Sequence, residues 1–207
     1  MPIHISGTGS FLPQNKVNNS SFSNRVFFDK DGNRYPNSND EIIEKFKTIT
    51  GINERRYADK EHKTSDLATF AAQNAIKDAG IDKETLDYII VAHNFGDVEY
   101  GTNQYIALPS VATMVKHKLE ILNENCVAYD IIFGCPGWLE GVIQATAYIR
   151  SKMAKRCLVI GADTLSRTID ESDRDSMIFA DGAGATIIEE TSESGGILSH
   201  KTITKAG

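Results

Sequence analysis

The sequence predicts an α/β protein with a mostly parallel five-stranded sheet and helices on both of its faces. Five short apolar runs have the length of strands, at residues 3–6, 88–92, 127–133, 157–162 and 185–190. Patterns with helical spacing lie between them, at residues 41–50 and 65–79, after residue 109, and from residue 136 to 149. Strands that alternate with helices are typical of a parallel sheet. The run YIIVA at 88–92 is continuously apolar, which indicates a strand covered on both faces.

The boundaries of these elements follow from turn and capping residues. The first strand is predicted to end at the glycine-rich turn 7–9, and residues 15–40 read as a polar surface excursion that contains one hairpin. The helix at 41–50 is closed by Gly51, because glycine readily adopts the left-handed conformation of a helix C-terminus. Ser65 is predicted to cap the second long helix, which Gly80 ends.

Composition excludes several classes of function. The chain has 207 residues, 41% of them hydrophobic, and a formal net charge of −6. Acidic residues outnumber the scattered lysines and arginines, so the sequence lacks the clustered basic residues that bind nucleic acids. Cys126, Cys135 and Cys157 show neither metal-ligand spacing nor a disulfide framework, so we expect no metal and a reducing compartment. No window approaches the ~20 apolar residues of a membrane span. We expect a soluble, cytoplasmic protein.

The segment 127–149 carries the strongest chemical signal. An apolar strand leads into Gly134-Cys135-Pro136-Gly137, and apolar residues then recur at helical spacing. Proline is tolerated in the first turn of a helix, so Pro136 is predicted to be the first helical residue and Cys135 the N-cap. The positive end of the helix dipole stabilises a thiolate there. Cys135 is therefore a candidate catalytic nucleophile.

Each candidate residue also has a structural interpretation. An isolated cysteine is commonly a small buried hydrophobic residue, and this alternative is open for Cys135. Cys126 and Cys157 begin predicted strands, so both are interpreted as structural. His93 follows the strand at 88–92, where α/β proteins place their sites, but a hydrogen-bonded loop residue is the favoured interpretation.

Six motifs, taken together, resemble a known family. They are GTGSFLP near the start, TGINERRYA from residue 50, DLATFAAQNAIKDAGIDKETLDYIIVA, FGCPGW, GADTLSR from residue 161 and FADGAGA from residue 179. Their order and approximate spacing resemble those of the β-ketoacyl-acyl-carrier-protein synthase III family. The resemblance implies a thiolase-like fold, in which two similar halves stack as αβαβα layers. Residues 1–207 resemble the N-terminal half domain only, so we expect the C-terminal half to be absent from this chain.

The resemblance implies a two-stage condensation in fatty acid or polyketide-type lipid biosynthesis. Cys135 matches the nucleophile that takes an acyl group from a thioester, and a malonyl thioester then loses carbon dioxide and attacks the acyl-enzyme. The backbone N–H of Cys135 is a candidate donor to the oxyanion. The family completes its site with a histidine and an asparagine of the C-terminal half. No residue here matches them, so residues 1–207 alone are predicted to be inactive, and no cofactor is expected beyond the thioester substrates.

Three positions refine or depart from the family pattern. Initiation-type members hold coenzyme A with a tryptophan and an arginine, whereas the matching positions here are Lys45 and Ile49. An acyl carrier protein as donor, or a different pose of coenzyme A, is therefore expected. Leu108 matches a residue that reaches the acyl pocket of a second subunit, so it is a candidate substrate-binding residue in a homodimer. An ordinary packing role for Leu108 is the alternative.

Two other functions are compatible with the same residues. The first is a non-condensing acyltransferase, which would pass the acyl group from Cys135 to an amine, alcohol or thiol without decarboxylation. The second is a noncatalytic partner subunit of a ketosynthase, which the length of 207 residues suggests. Product analysis separates the first alternative from condensation, and the reactivity of the Cys135 thiol tests the second.

Overall fold

The fold is known from a computed structural model that describes residues 2–102, 104–192 and 194–205. The strands in these residues are β1 (Ile3–Phe11), β2 (Asn15–Asn18), β3 (Glu54–Tyr57), β4 (Tyr88–His93), β5 (Asp97–Val98), β6 (Tyr105–Ile106), β7 (Val127–Ile132), β8 (Arg156–Thr164) and β9 (Asp181–Glu190). The α-helices are α1 (Asn39–Thr50), α2 (Thr64–Ala79), α3 (Val111–Lys118) and α4 (Gly137–Arg150).

Five of the strands form the central sheet, in the order β1-β9-β8-β4-β7. Strand β4 pairs in parallel with β7 and with β8, whereas β9 is antiparallel to both β8 and β1. Four of the five strands therefore run in one direction, which confirms the predicted mostly parallel sheet. Strand β7 forms one edge of this sheet.

The sheet is covered by helices on both faces. Ile89 and Val91 of β4 pack with the apolar residues of α2 and α3, whereas Ile90 between them packs with Val142 and Ile149 of α4. Successive side chains of a strand point to opposite faces, so burial on both faces requires every position of β4 to be apolar. This requirement explains the YIIVA run.

The predicted end of the first strand is wrong. Strand β1 continues through residues 7–9 to Phe11, and both glycines lie inside it. A Cβ atom on Gly9 would lie 2.2 Å from the carbonyl oxygen of Ala71, and one on Gly7 would lie 2.6 Å from that of Ala75. These glycines therefore permit the backbone of α2 to lie directly on the strand.

The excursion at 15–40 is more ordered than predicted. Strand β2 pairs with β3 along four residues, and the Asp29–Asn33 turn forms the predicted hairpin, with Phe28 bridged to Arg34. Phe22 and Phe27 are almost fully buried and form a separate apolar cluster with Ile42 and Met177. The polar composition of the segment concealed these two anchors, so it is not simply a surface excursion.

Two helix boundaries illustrate capping. Helix α1 begins after Ser38, whose side chain accepts the N–H of Glu41 while the Glu41 carboxylate accepts the N–H of Ser38. The predicted cap at Ser65 is wrong, because α2 already begins at Thr64. The buried Ser65 hydroxyl instead donates to Asp97 over 2.7 Å.

Gly9→Ala is expected to lower the free energy of unfolding by about 3 kcal/mol, because the new methyl group meets backbone atoms of α2 that cannot rotate away. Chemical denaturation of both proteins measures this change. Gly184→Ala is the matched control, since no atom lies within 4 Å of a Cβ placed there and Gly184 pairs with the residue next to Gly9. Equal stabilities of the two variants would contradict the packing role of Gly9.

Candidate active site

Cys135 lies at the junction of β7 and α4, in a tight turn. Gly134 has a φ of 76°, and the N–H of Gly137 donates to the carbonyl oxygen of Gly134 over 2.9 Å. Pro136 is the N-cap, and its carbonyl oxygen accepts the first helical hydrogen bond from Glu140. The helix thus begins one residue later than predicted, which places Cys135 just before the N-cap. The strand, turn and helix were otherwise predicted correctly.

The three cysteines have different environments. Cys135 is exposed, whereas Cys126 and Cys157 are buried, and all three are free thiols. Burial raises the pKa of Cys126 to about 11 and that of Cys157 to about 12. The alternative that Cys135 is a buried hydrophobic residue is therefore wrong, and the burial of the other two agrees with their structural interpretation.

Cys135 lines a depression of about 390 Å³. Its walls come from the carboxyl ends of β4 and β8, the turn before α4, and the first half of β9. The lining residues are Leu12, Ala92, His93, Gly134, Cys135, Trp138, Gly161, Ala162, Asp163, Leu165, Ala180, Gly182, Ala183 and Gly184. The carboxyl ends of parallel strands are where α/β folds place ligands, so the position of this depression agrees with that of a binding site.

Small residues bring α4 close to the sheet at this depression. A Cβ atom on Gly137 would lie 2.9 Å from Cβ of Ala92, and one on Gly161 would lie 3.2 Å from Cβ of Trp138. The indole Nε1–H of Trp138 donates to Thr186 over 3.3 Å. The first turn of α4, and with it Cys135, is thereby fixed over β4, β8 and β9.

His93 is held at both ring nitrogens. The backbone N–H of Gly96 donates to Nδ1 over 2.9 Å, so Nδ1 carries no proton and Nε2 carries one. Nε2 lies 2.9 Å from Oδ2 of Asp130 and donates to it. Neither nitrogen is available to take a proton from Cys135. His93 is thus hydrogen-bonded, as predicted, although it belongs to the last position of β4 and not to the loop.

A second carboxylate lines the depression beside His93. Asp163 accepts the backbone N–H of Asn94 over 2.9 Å and its side-chain amide over 2.7 Å. Burial raises the pKa of Asp163 above its ordinary value, and the hydrogen bonds from Asn94 offset part of this rise. The sequence analysis did not single out Asp163, Asn94 or Trp138. The available signal for the first two was their position, because Asn94 and Asp163 are polar residues that follow the apolar runs of β4 and β8.

The backbone N–H of Cys135 remains available to a ligand. Among the hydrogen bonds of residues 2–102, 104–192 and 194–205, this N–H has no acceptor. A free N–H beside a nucleophile can stabilise the oxyanion of a tetrahedral intermediate. In the same residues, no group of three or more His, Cys, Asp or Glu side chains is arranged to hold a metal ion.

Leu108, the other predicted site residue, and the two positions that depart from the family pattern lie apart from this depression. Leu108 is 83% exposed and precedes Pro109 through a cis peptide bond. Lys45 and Ile49 line a separate groove of about 680 Å³, between α1 and residues 174–178. The structure therefore does not bring Leu108, Lys45 or Ile49 to the cysteine within one chain. Within its described part, none of the helices is both long and apolar enough to cross a membrane.

Comparison with known proteins shows sequence similarity over most of this chain. The family described as 3-oxoacyl-[acyl-carrier-protein (ACP)] synthase III matches residues 129–206. The beta-ketoacyl-[acyl-carrier-protein] synthase III of Neisseria meningitidis serogroup B is 41% identical, over 95% of this chain and 55% of that protein. The protein of the same name from Staphylococcus haemolyticus is 38% identical, over 97% of this chain and 57% of that protein.

A solved structure shows that the similarity extends to the fold. The 3-oxoacyl-[acyl-carrier-protein] synthase III of Aquifex aeolicus VF5 superposes with a TM-score of 0.75 and 33% identity, over 92% of this chain and 55% of that one. The thiolase-like fold predicted from the sequence is confirmed. This chain spans about half the length of the relatives that it matches.

We expect iodoacetamide to label Cys135 of the native protein at pH 8 at least about 100-fold faster than Cys126 or Cys157. Cys135 is exposed, whereas burial and a raised pKa leave the other two thiols largely protonated. Peptide mass spectrometry measures the three rates, and labelling in denaturant provides the control in which all three react. Comparable labelling of Cys157 in the native protein would contradict this description.

Proposed function

From the premise that this chain is a partial-length relative of the β-ketoacyl-acyl-carrier-protein synthase III proteins, we propose that the full-length protein is a condensing enzyme with Cys135 as its nucleophile. The observation that carries the proposal is the exposed Cys135 thiol in a depression at the carboxyl ends of β4 and β8. The product is a β-ketoacyl thioester for fatty acid or polyketide-type lipid biosynthesis.

In the first stage, the Cys135 thiolate attacks the carbonyl carbon of an acyl thioester. A carbon–sulfur bond forms, the carbonyl oxygen becomes an oxyanion, and the N–H of Cys135 donates to it. The intermediate collapses and expels the carrier as a thiolate, which takes up from solvent a proton equivalent to the one that the Cys135 thiol lost on ionisation. The acyl group is then held as a thioester on Cys135. The absence of an acceptor for this N–H, within the described residues, supports the assignment.

In the second stage, a malonyl thioester loses carbon dioxide and becomes an enolate. The enolate carbon attacks the acyl group on Cys135, a carbon–carbon bond forms, and the Cys135 thiolate leaves. The donors that stabilise the enolate belong, in this proposal, to the histidine and asparagine of the C-terminal half that the resemblance implies. His93 does not replace them, because both of its ring nitrogens are already engaged.

The proposal includes substrates and partners. An acyl carrier protein and acyl and malonyl thioesters are the proposed partners, and no further cofactor takes part. We assign a homodimer because β7 is a sheet edge whose last residue, Ile132, is 76% exposed and is followed by Phe133, which is 44% exposed. Such an edge is stabilised by a second copy. Leu108, which is 83% exposed, would contact the acyl chain bound in the other subunit.

Incubation of the full-length protein with an acyl thioester is expected to add one acyl mass to Cys135. Intact-protein mass spectrometry measures the adduct, and Cys135→Ala, which lacks the sulfur that forms the bond, should gain none. Cys157→Ala is the matched control and should retain the adduct, because that thiol is buried. A chain that accepts no acyl group from coenzyme A or from acyl carrier protein would refute the proposal and favour a noncatalytic partner subunit.

Addition of labelled malonyl thioester to the acylated protein is expected to release one carbon dioxide per acyl group consumed and to lengthen the product by two carbons. The measurement is labelled carbon dioxide together with the product mass. Transfer of the acyl group to an amine, alcohol or thiol without carbon dioxide would instead establish the non-condensing acyltransferase.

A polypeptide of residues 1–207 alone is expected to form no β-ketoacyl product, because the second-stage donors are assigned to residues outside it. The same carbon dioxide assay tests this, with the full-length protein as the positive control. Condensation by residues 1–207 that disappears in Cys135→Ala would show that these residues contain a complete site.

A further inference from the structure

The one charged residue of β7, Asp130, makes an unusual set of contacts. Its carboxylate accepts the backbone N–H of Val111 over 2.7 Å, that of Ala112 over 2.8 Å, and Nε2–H of His93 over 2.9 Å. The Asp130 side chain is only 14% exposed and that of His93 only 6%. A partly buried carboxylate with three donors, two of them at a helix N-terminus, holds its partners in one arrangement.

These contacts join the depression around Cys135 to the segment 104–112. His93 lines the depression at the end of β4, and Asp130 holds the first turn of α3. The second ring nitrogen of His93 accepts the N–H of Gly96, where a Cβ atom would lie only 2.9 Å from the carbonyl oxygen of Ile106. The hairpin of β5 and β6 is therefore packed against the turn that His93 fixes. Leu108 lies between this hairpin and α3.

We infer that His93 and Asp130 are positioning residues that set which acyl chains Cys135 accepts, by holding in place the segment 104–112, whose Leu108 contacts the acyl chain of the other subunit in the proposed homodimer. The inference rests on the proposed function and identifies the control of its substrate selectivity. The pair has no free polar atom to offer in acid–base chemistry, because every ring nitrogen and carboxylate oxygen already has a partner. Its effect on the reaction is geometric, through the backbone that it anchors.

Two substitutions at His93 separate its two hydrogen bonds. His93→Gln places an amide N–H where Nε2–H lies, so it can retain the bond to Asp130, whereas His93→Asn places an oxygen near Nδ1 and can retain only the bond from Gly96. Asp130→Asn keeps the shape of the side chain but removes its charge and one acceptor. It therefore provides a second test if His93→Asn does not fold.

The matched control is Lys116→Met in the same helix. Its Nζ donates to the carbonyl oxygen of Cys126 over 2.7 Å, so the substitution removes a comparable attachment of α3 away from His93 and Asp130. Lys116 does not line the depression that contains Cys135. A general loss of stability in α3 should therefore appear in this variant without a change in selectivity.

The measured quantity is the ratio of the rate constants for acylation of Cys135 by decanoyl-coenzyme A and by acetyl-coenzyme A, in the full-length protein. The ratio cancels changes in the folded fraction and in the reactivity of the thiol. We expect a shift of roughly fivefold in His93→Asn and in Asp130→Asn, and of less than about twofold in His93→Gln and in Lys116→Met. Thermal unfolding and the iodoacetamide rate at Cys135 are recorded for each variant.

Three outcomes would overturn the inference. The first is an unchanged ratio in His93→Asn and Asp130→Asn with melting temperatures lowered as in Lys116→Met, which would leave the pair a purely structural role. The second is an equal fall of both acylation rates and of the iodoacetamide rate, which would mean that the pair acts on the thiol. The third is wild-type protein that accepts neither donor, nor the same acyl groups on acyl carrier protein, because the proposed function then fails as well. Acylated wild type with unchanged ratios refutes the inference alone.

Discussion

The close approach of α4 to the sheet is the constraint on which the rest of the structure depends. A Cβ atom on Gly141 would lie 2.7 Å from Cγ1 of Val159, and one on Gly137 would lie 2.9 Å from Cβ of Ala92. Helix α4 can therefore lie where it does only because these positions lack side chains. The turn before the helix must then bring Cys135 to the carboxyl ends of the strands. A larger side chain at either glycine would move the thiol away from the depression.

Polar side chains near the carboxyl ends of the parallel strands form hydrogen bonds with one another and with backbone N–H groups. Asp130 holds α3 and His93, and Asp163 holds Asn94. Each carboxylate is partly buried, so each needs such donors to offset its loss of hydration. The walls of the depression are consequently fixed before any substrate binds. Preorganisation of this kind lowers the cost of positioning an acyl group.

The segment 15–40 shows how composition can mislead. Its asparagines, serines and aspartates predict a surface excursion, yet Phe22 and Phe27 anchor it on Met177. The backbone of Phe28 donates to Ser172, and the Arg174 guanidinium lies 4.8 Å from the ring centroid of Tyr35. Few apolar residues suffice to fix a polar segment when they are fully buried, and periodicity does not detect them.

The sequence by itself determined the elements of the sheet and the helices on its two faces, because apolar periodicity and capping are local properties. It also placed Cys135 at a strand–turn–helix junction. Only the tertiary structure decided that β1 runs through Gly9, that both nitrogens of His93 are engaged, and that Asn94 meets Asp163. The contacts of His93 with Asp130 and of Asn94 with Asp163 join residues that are 37 and 69 positions apart, so their partners are set by how the layers pack, whereas Gly96 lies only three positions from His93.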